Sequence, residues 1–149
     1  MTRNDFITGA ESLKPISAEA LAEYEKKSDI LIVLINNHMQ SRPDLYTLIG
    51  KDNLQMMFSN HTNHVRFMTA IMKNFNPRIL VETILWVLRT YKSHGFSISY
   101  WPAQISSWIT ILQAELSSNA VKEILPFYQW IEARLAQMDA YVTEYPEEE

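Results

Sequence analysis

The segment from Pro77 to Trp101, PRILVETILWVLRTYKSHGFSISYW, is the part of this sequence that most restricts the fold. After its opening Pro-Arg pair, only Glu82 and Thr83 interrupt a run of apolar residues that covers almost every side of a helix. A helix that is apolar nearly all round is normally buried. Gly95 then marks a helix end, since glycine is common just past a C-terminus. The segment therefore predicts a buried central helix over 77–94, followed by a sharp corner.

The rest of the chain also shows helical spacing. In 52–74, apolar residues and His61 recur every three or four positions, which places them on one helix face. The chain has only three glycines and no strong hairpin dipeptide, which argues against a sheet. We therefore predict an all-α fold of about six to seven helices. Besides 77–94, the predicted helices span 18–40, 45–49, 52–74, 102–117 and 119–140.

The length of 149 residues predicts one domain, 1–149, with a core that needs no covalent staples. Residues 1–14 show no clear period, so we expect a loose lead-in there. Residues 144–149, EYPEEE, are typical of an acidic tail. No internal repeat or second-domain boundary interrupts the chain between these two ends.

The composition excludes several kinds of site. The chain has no cysteine, which rules out disulfides, thiolate zinc sites, iron–sulfur clusters and cysteine nucleophiles. The formal net charge of −4 and a single adjacent basic pair, Lys26-Lys27, argue against a nucleic-acid partner. The longest apolar run, 30–35, is too short for a membrane span, and the N-terminus lacks the apolar segment of a signal peptide. The predicted location is the cytoplasm.

Three polar side chains have positions that favour a function. His61 and His64, in the motif HTNH, share a helix face. They form either half of a metal site or the polar edge of the apolar stripe, and we predict no metal because no further ligand is evident. The apolar neighbours of Glu82 predict a buried carboxylate paired with Arg89 or Arg66, with proton sensing as the alternative.

The sequence contains no nucleophile–base pair, phosphate-binding glycine loop or pair of catalytic carboxylates. It therefore predicts a protein that is not an enzyme. The alternative is a small helical enzyme that uses Glu82, His61 or His64 in a pocket. Seven methionines predict an adaptable interior, which is either an ordinary core or a ligand pocket.

The run from Tyr91 to Trp101 resembles the corner between the F and G helices of bacterial sensor globins and protoglobins. In those proteins a haem-ligating histidine ends helix F, a Gly-Leu pair follows four residues later, and aromatic residues begin helix G. Gly95-Phe96 and Tyr100-Trp101 match the last two features. The resemblance covers about residues 44–140. It matches helices E, F, G and H to 52–74, 78–94, 102–117 and 119–140.

Tyr91 stands at the position of the haem-ligating histidine. The resemblance therefore implies a globin-like fold without haem, as in the haem-free N-terminal domains of bacterial stressosome sensor proteins. It implies a regulatory or sensory domain that binds an apolar small molecule and acts on a signalling partner protein. The pocket residues that it implies are His61, His64, Met68, Tyr91, His94 and Tyr100.

Two alternatives accompany this interpretation. The chain is alternatively a haem protein that binds oxygen or senses a gas, with Tyr91 or His94 on one side of the iron and His61 or His64 on the other. For His94 by itself, the alternative is a cationic side chain at the negative end of a helix.

Sensor globins and their haem-free relatives usually dimerise through helices G and H, so the resemblance implies a homodimer. The alternative is that the aromatic side chains of these helices point into the core of one chain. The predicted interface residues are Trp108, Ile111, Phe127, Tyr128, Trp130 and Ile131.

Overall fold

The computed structural model describes residues 1–147, which contain seven α-helices and no strand. This confirms the prediction of an all-α fold with about six to seven helices. Residues 148–149, the end of the predicted acidic tail, lie outside the described residues. The helices are α1 (Arg3–Ala10), α2 (Ala18–Gln40), α3 (Leu45–Ile49), α4 (Leu54–Lys73), α5 (Pro77–Ser93), α6 (Tyr100–Glu115) and α7 (Ser118–Glu144).

The core lies where α2 packs against α4, α6 and α7, and where α6 packs against α7. On the other side of the molecule, α5 packs against α1 and α7. The buried apolar side chains of these helices form one connected cluster. Within residues 1–147, no helix combines the length and the apolar character that a membrane crossing requires.

The N-terminal segment is more ordered than we expected, because part of the predicted loose lead-in forms α1. Thr2 and Asp5 form a capping box: the Asp5 amide donates to the Thr2 hydroxyl, and the Thr2 amide donates to the Asp5 carboxylate. Phe6 and Ala10 are fully buried, and the Phe6 ring meets Tyr141 edge-on at 6.0 Å. A helix of eight residues with only two buried side chains is too short to show a period in the sequence.

Helix α5 is buried along one face only, which corrects the expectation of a helix buried nearly all round. Leu80 and Leu88 are buried, whereas Ile79 is 51% exposed and Trp86 is 61% exposed. Glu82 is also on the exposed side. Its carboxylate lies 3.2 Å from the guanidinium of Arg78 and 3.8 Å from that of Arg3, rather than beside Arg89 or Arg66. Apolar composition alone did not reveal that neighbouring helices cover one side of α5 and leave the other open.

The corner after α5 forms where the glycine predicted it. Gly95 has φ +96°, a conformation that residues with a Cβ rarely adopt. The Asn53 side-chain amide donates to the carbonyls of Ile49 and His94, both at 2.7 Å. The Ser97 amide donates to the Leu48 carbonyl at 2.8 Å. These bonds tie the corner to the end of α3 and so set the direction in which α6 begins.

Candidate functional site

A cavity of about 440 Å³ lies between α4 and α5, with α6 and α7 closing its inner end. Helices α4 and α5 are not among the closely packed helix pairs, so the space between them is left for other groups. No Asp, Glu, Lys or Arg lines this cavity. Its lining residues are Met56, Asn60, Asn63, His64, Phe67, Met68, Thr83, Ile84, Trp86, Val87, Leu88, Thr90, Tyr91, Trp101, Gln104, Ile105, Ile131 and Leu135.

His64 is held in the α4 wall of the cavity by two contacts. Its ring stacks on Trp108 with centroids 4.9 Å apart, and its Nε2 lies 2.9 Å from the Tyr128 hydroxyl. The Tyr128 hydroxyl in turn lies 2.7 Å from that of Tyr24. Burial lowers the pKa of His64 to about 3, so its imidazole is neutral at physiological pH.

Tyr91 lies in the α5 wall and is held by aromatic neighbours. Its ring meets Phe96 edge-on at 5.0 Å and Trp101 edge-on at 5.5 Å. Burial raises the pKa of the Tyr91 phenol, and a hydrogen bond with the Asn60 side chain opposes that rise. The phenol is therefore protonated at physiological pH. Thr83, Trp86 and Thr90 share this face of α5 because they are spaced by three or four residues.

The inner end of the cavity contains a buried amide pair. Gln104 Nε2 of α6 donates to Asn60 Oδ1 of α4 at 2.7 Å. Both side chains are at most 5% exposed. Trp101 and Ile105 of α6 and two apolar residues of α7 complete the wall around them. The cavity is thus mainly apolar, with a small group of neutral polar atoms at its inner end.

Two of the predicted pocket residues, His61 and Tyr100, lie behind the cavity wall rather than on it. His61 Nδ1 is 2.6 Å from Asn36 Oδ1, and His61 Nε2 is 3.0 Å from the Tyr100 hydroxyl. The Tyr100 hydroxyl donates to Asn60 Oδ1 at 3.0 Å. Burial lowers the pKa of His61 to about 3 and raises that of Tyr100 well above its ordinary value. Both residues fix the position of Asn60.

His94, also predicted for the pocket, lies outside it. The residue is exposed at the end of α5, and its Nδ1 is 2.8 Å from the Thr90 carbonyl. His94 therefore lies at the C-terminal end of a helix, which is the alternative position that the sequence offered. Of the six predicted residues, His64, Met68 and Tyr91 line the cavity.

In the single chain, the residues of the predicted dimer face pack into the core, which is the alternative that the sequence left open. All six side chains are at most 8% exposed in the single chain. Trp108 stacks on His64, and Tyr128 bonds to Tyr24, so these aromatics join α6 and α7 to α2 and α4. The sequence shows that these helix faces are apolar but not which surface covers them. The residues concerned are Trp108, Ile111, Phe127, Tyr128, Trp130 and Ile131.

The side chains named in the enzyme and metal hypotheses lie apart in the structure. Glu82 pairs with arginines on the surface, while His61 and His64 make separate contacts with the core. These three side chains therefore do not converge in one cleft. Within residues 1–147, no group of three histidine or acidic side chains is placed to hold a metal ion.

The sequence did not indicate several of the residues that line the cavity, above all Asn60, Gln104 and Thr83. Asn60 precedes His64 by one turn of helix, and this spacing was the signal that could have placed Asn60 on the same face of α4. Gln104 interrupts the apolar face of α6 in a similar way. Neither residue belongs to a known motif, so their meeting at 2.7 Å depends on the tertiary fold.

Comparisons with known proteins do not identify a family for this chain. A scan against protein-family models, a search of curated proteins and a search of solved structures each returned no match. The globin resemblance therefore stays a prediction, and the functional argument rests on the geometry of the cavity.

Proposed function

We propose that this chain is a haem-free, globin-like regulatory or sensory domain that binds an apolar small molecule between α4 and α5. The observation that carries the proposal is the cavity of about 440 Å³, which is mostly apolar and contains a few oriented polar groups. Ligand sites in proteins commonly have this composition. The size is within the usual range for a small-molecule site.

Contacts around the cavity support a site that exists before a ligand arrives. His64 is fixed by Trp108 and Tyr128, and Tyr91 is fixed by Phe96 and Trp101. Side chains held in this way lose little further freedom when a ligand binds, which favours affinity. The exposed Trp86 lies on the α5 wall, so the cavity reaches solvent beside it.

Binding of the uncharged fluorophore N-phenyl-1-naphthylamine tests the proposal. We expect its emission to increase on addition of the protein, because the dye leaves water for an apolar site. Ile84→Trp, which enlarges a cavity-lining side chain, should reduce binding by about tenfold or more. Val33→Trp is the matched control, because Val33 is exposed on α2 and does not line the cavity.

Two outcomes would contradict the proposal. The first is no change in emission with the unmodified protein. The second is unchanged binding by Ile84→Trp in a variant whose circular dichroism shows a folded helical protein. Mass spectrometry of the protein purified from its own host under native conditions then identifies a molecule that it retains.

Haem is the second candidate ligand, because α4 carries His64 and α5 carries Tyr91 around one cavity. The fit is poor. His64 Nε2 already bonds to Tyr128, and burial raises the pKa of the Tyr91 phenol, which disfavours the phenolate that binds iron. No lysine or arginine lines the cavity to pair with haem carboxylates. These features favour the haem-free proposal.

A visible spectrum after addition of hemin separates the two candidates. The haem-free proposal predicts no shifted absorption band that depends on Tyr91. A band that Tyr91→Phe removes and that His94→Ala leaves unchanged would favour the haem protein, since His94 lies outside the cavity.

Association of two copies in the cytoplasm, with action on a signalling partner, completes the proposal. The buried aromatics of α6 and α7 do not provide the contact, so it requires another surface. Sedimentation over a range of concentrations tests for a dimer. A monomer at every concentration would remove this part of the proposal and leave the ligand site in place.

A further inference from the structure

The polar atoms at the inner end of the cavity are not all used by the protein. Gln104 Nε2 donates to Asn60 Oδ1 and to the Tyr100 hydroxyl, whereas Gln104 Oε1 has no hydrogen-bond partner among residues 1–147. The Gln104 side chain is 3% exposed and lines the cavity. Because Gln104 lines the cavity, its Oε1 can accept a hydrogen bond from a group in that space. A molecule inside the cavity is the donor that this position can reach.

Tyr91 supplies the complementary group. Its side chain lies on the α5 wall of the same cavity, and burial raises the pKa of the phenol, which keeps it protonated. The hydroxyl hydrogen of Tyr91 is then available to donate. Asn60 bonds to Gln104, and both line the cavity together with Tyr91, so the acceptor and the donor face the same space.

His64 adds a third neutral atom. Its Nε2 is engaged by Tyr128, and its Nδ1 has no hydrogen-bond partner in the part of the chain that the structure describes. His64 follows Asn60 by one turn of α4, so it lies on the same wall. None of these groups has a formal charge, and no acidic or basic side chain lines the cavity.

We propose that the cavity selects an uncharged molecule whose polar group both donates and accepts a hydrogen bond, such as an alcohol. This inference rests on the proposed function, because it names the class of ligand for the same site. A hydroxyl donates to Gln104 Oε1 and accepts from Tyr91. A carboxylate only accepts, so it faces Gln104 Oε1 without a hydrogen, and it is buried without a cation.

The test compares 1-decanol with decanoate, which have the same chain length, as competitors for bound N-phenyl-1-naphthylamine. At neutral pH we expect 1-decanol to displace the dye at a concentration at least about tenfold lower, because desolvating an unpaired carboxylate is unfavourable. Decanoate should compete better as the pH is lowered toward the pKa of its carboxyl group, since the neutral acid can donate. Competition by 1-decanol should not change over the same interval.

Two variants divide the roles of the polar groups. Gln104→Leu removes the acceptor, so it should weaken 1-decanol and bring the ratio of the two affinities closer to one. Tyr91→Phe removes a donor that both ligands use, so it should weaken both and change the ratio less. Gln113→Leu is the matched control, because Gln113 is exposed on the outer face of α6.

The outcomes distinguish this inference from the proposed function. Equal or better competition by decanoate at neutral pH, while the dye still binds in the cavity, overturns the inference and leaves the proposed function standing. Failure of the dye to bind overturns both. The pH titration uses the unmodified protein, so the test does not depend on whether Gln104→Leu folds.

Discussion

The gap between α4 and α5 and the contact of α6 with α7 contain similar residues but are built differently. Each has aromatic and aliphatic side chains at helical spacing, and each has a tryptophan. Trp108 of α6 is fully buried and touches His64 and Tyr128, whereas Trp86 of α5 is 61% exposed at the side of a cavity. The comparison teaches that an apolar helix face becomes part of a closed core or the wall of a cavity according to the distance of the next helix.

The largest expected effect tests this comparison directly. Trp108→Ala should lower the free energy of unfolding by about 3–5 kcal/mol, because it leaves a hole in a closed core. Trp86→Ala should change it by less than about 1 kcal/mol, because most of that ring already faces solvent. Urea unfolding followed by circular dichroism measures both. Similar losses for the two variants would show that the two regions are equally packed.

The dependence of stability on pH gives a second comparison, between His61 in the core and His64 on the cavity wall. The pKa values of His61 and His64 are lowered from 6.5 to about 3 in the folded state. Below pH 6.5 the unfolded chain therefore binds protons that the folded chain does not. The stabilisation from each neutral imidazole is fully present above about pH 6.5 and is lost as the pH falls toward 3, by at most about 1.4 kcal/mol per pH unit.

The measurement is the free energy of unfolding against pH for His61→Gln and His64→Gln. Both variants should show a shallower loss of stability in acid than the unmodified protein. If water entering the cavity hydrates His64, its variant will reduce the slope less than that of His61. Unchanged slopes for both variants would contradict the assignment of two neutral buried imidazoles.

The smallest of the three effects concerns single hydroxyl groups. Tyr128→Phe leaves Tyr24 and His64 Nε2 without their shared partner, so it should cost about 1–3 kcal/mol. Tyr91→Phe should cost less than about 1 kcal/mol, because Tyr91 lines the cavity and no hydrogen bond like that of Tyr128 to Tyr24 holds its hydroxyl. Thermal unfolding compares the two. A larger loss for Tyr91→Phe would indicate that the cavity side is the more tightly bonded region.

Much of the fold could be predicted from the sequence, since helical period and end signals are local. Asn76-Pro77 begins α5, and Gly95 ends it, as the sequence indicated. Helix α2 covers Ala18–Gln40, the span predicted for it. By contrast, α1 was missed because two buried residues do not make a visible stripe. Helix α7 also differs from the predicted 119–140, since Ser117 caps it and it extends to Glu144.

The candidate site was predicted only in part. His64, Met68 and Tyr91 line the cavity. His61 and Tyr100 are near it but are occupied in a buried network. The remaining predicted residue, His94, points to a carbonyl outside the cavity. The spacing of apolar residues along a helix does not show which side of that helix faces a cavity and which side packs against another helix.

The sequence by itself determined six of the seven helices in residues 1–147, because the three- and four-residue period and the residues that cap or break helices act within a few positions of the chain. Only the tertiary structure decided that α4 and α5 stand apart while α6 and α7 close together, because helix separation depends on how all the side chains of the core pack at once. The same decision left Gln104 Oε1 and the Tyr91 hydroxyl facing a cavity. For that reason the class of the proposed ligand could be inferred only from the tertiary structure.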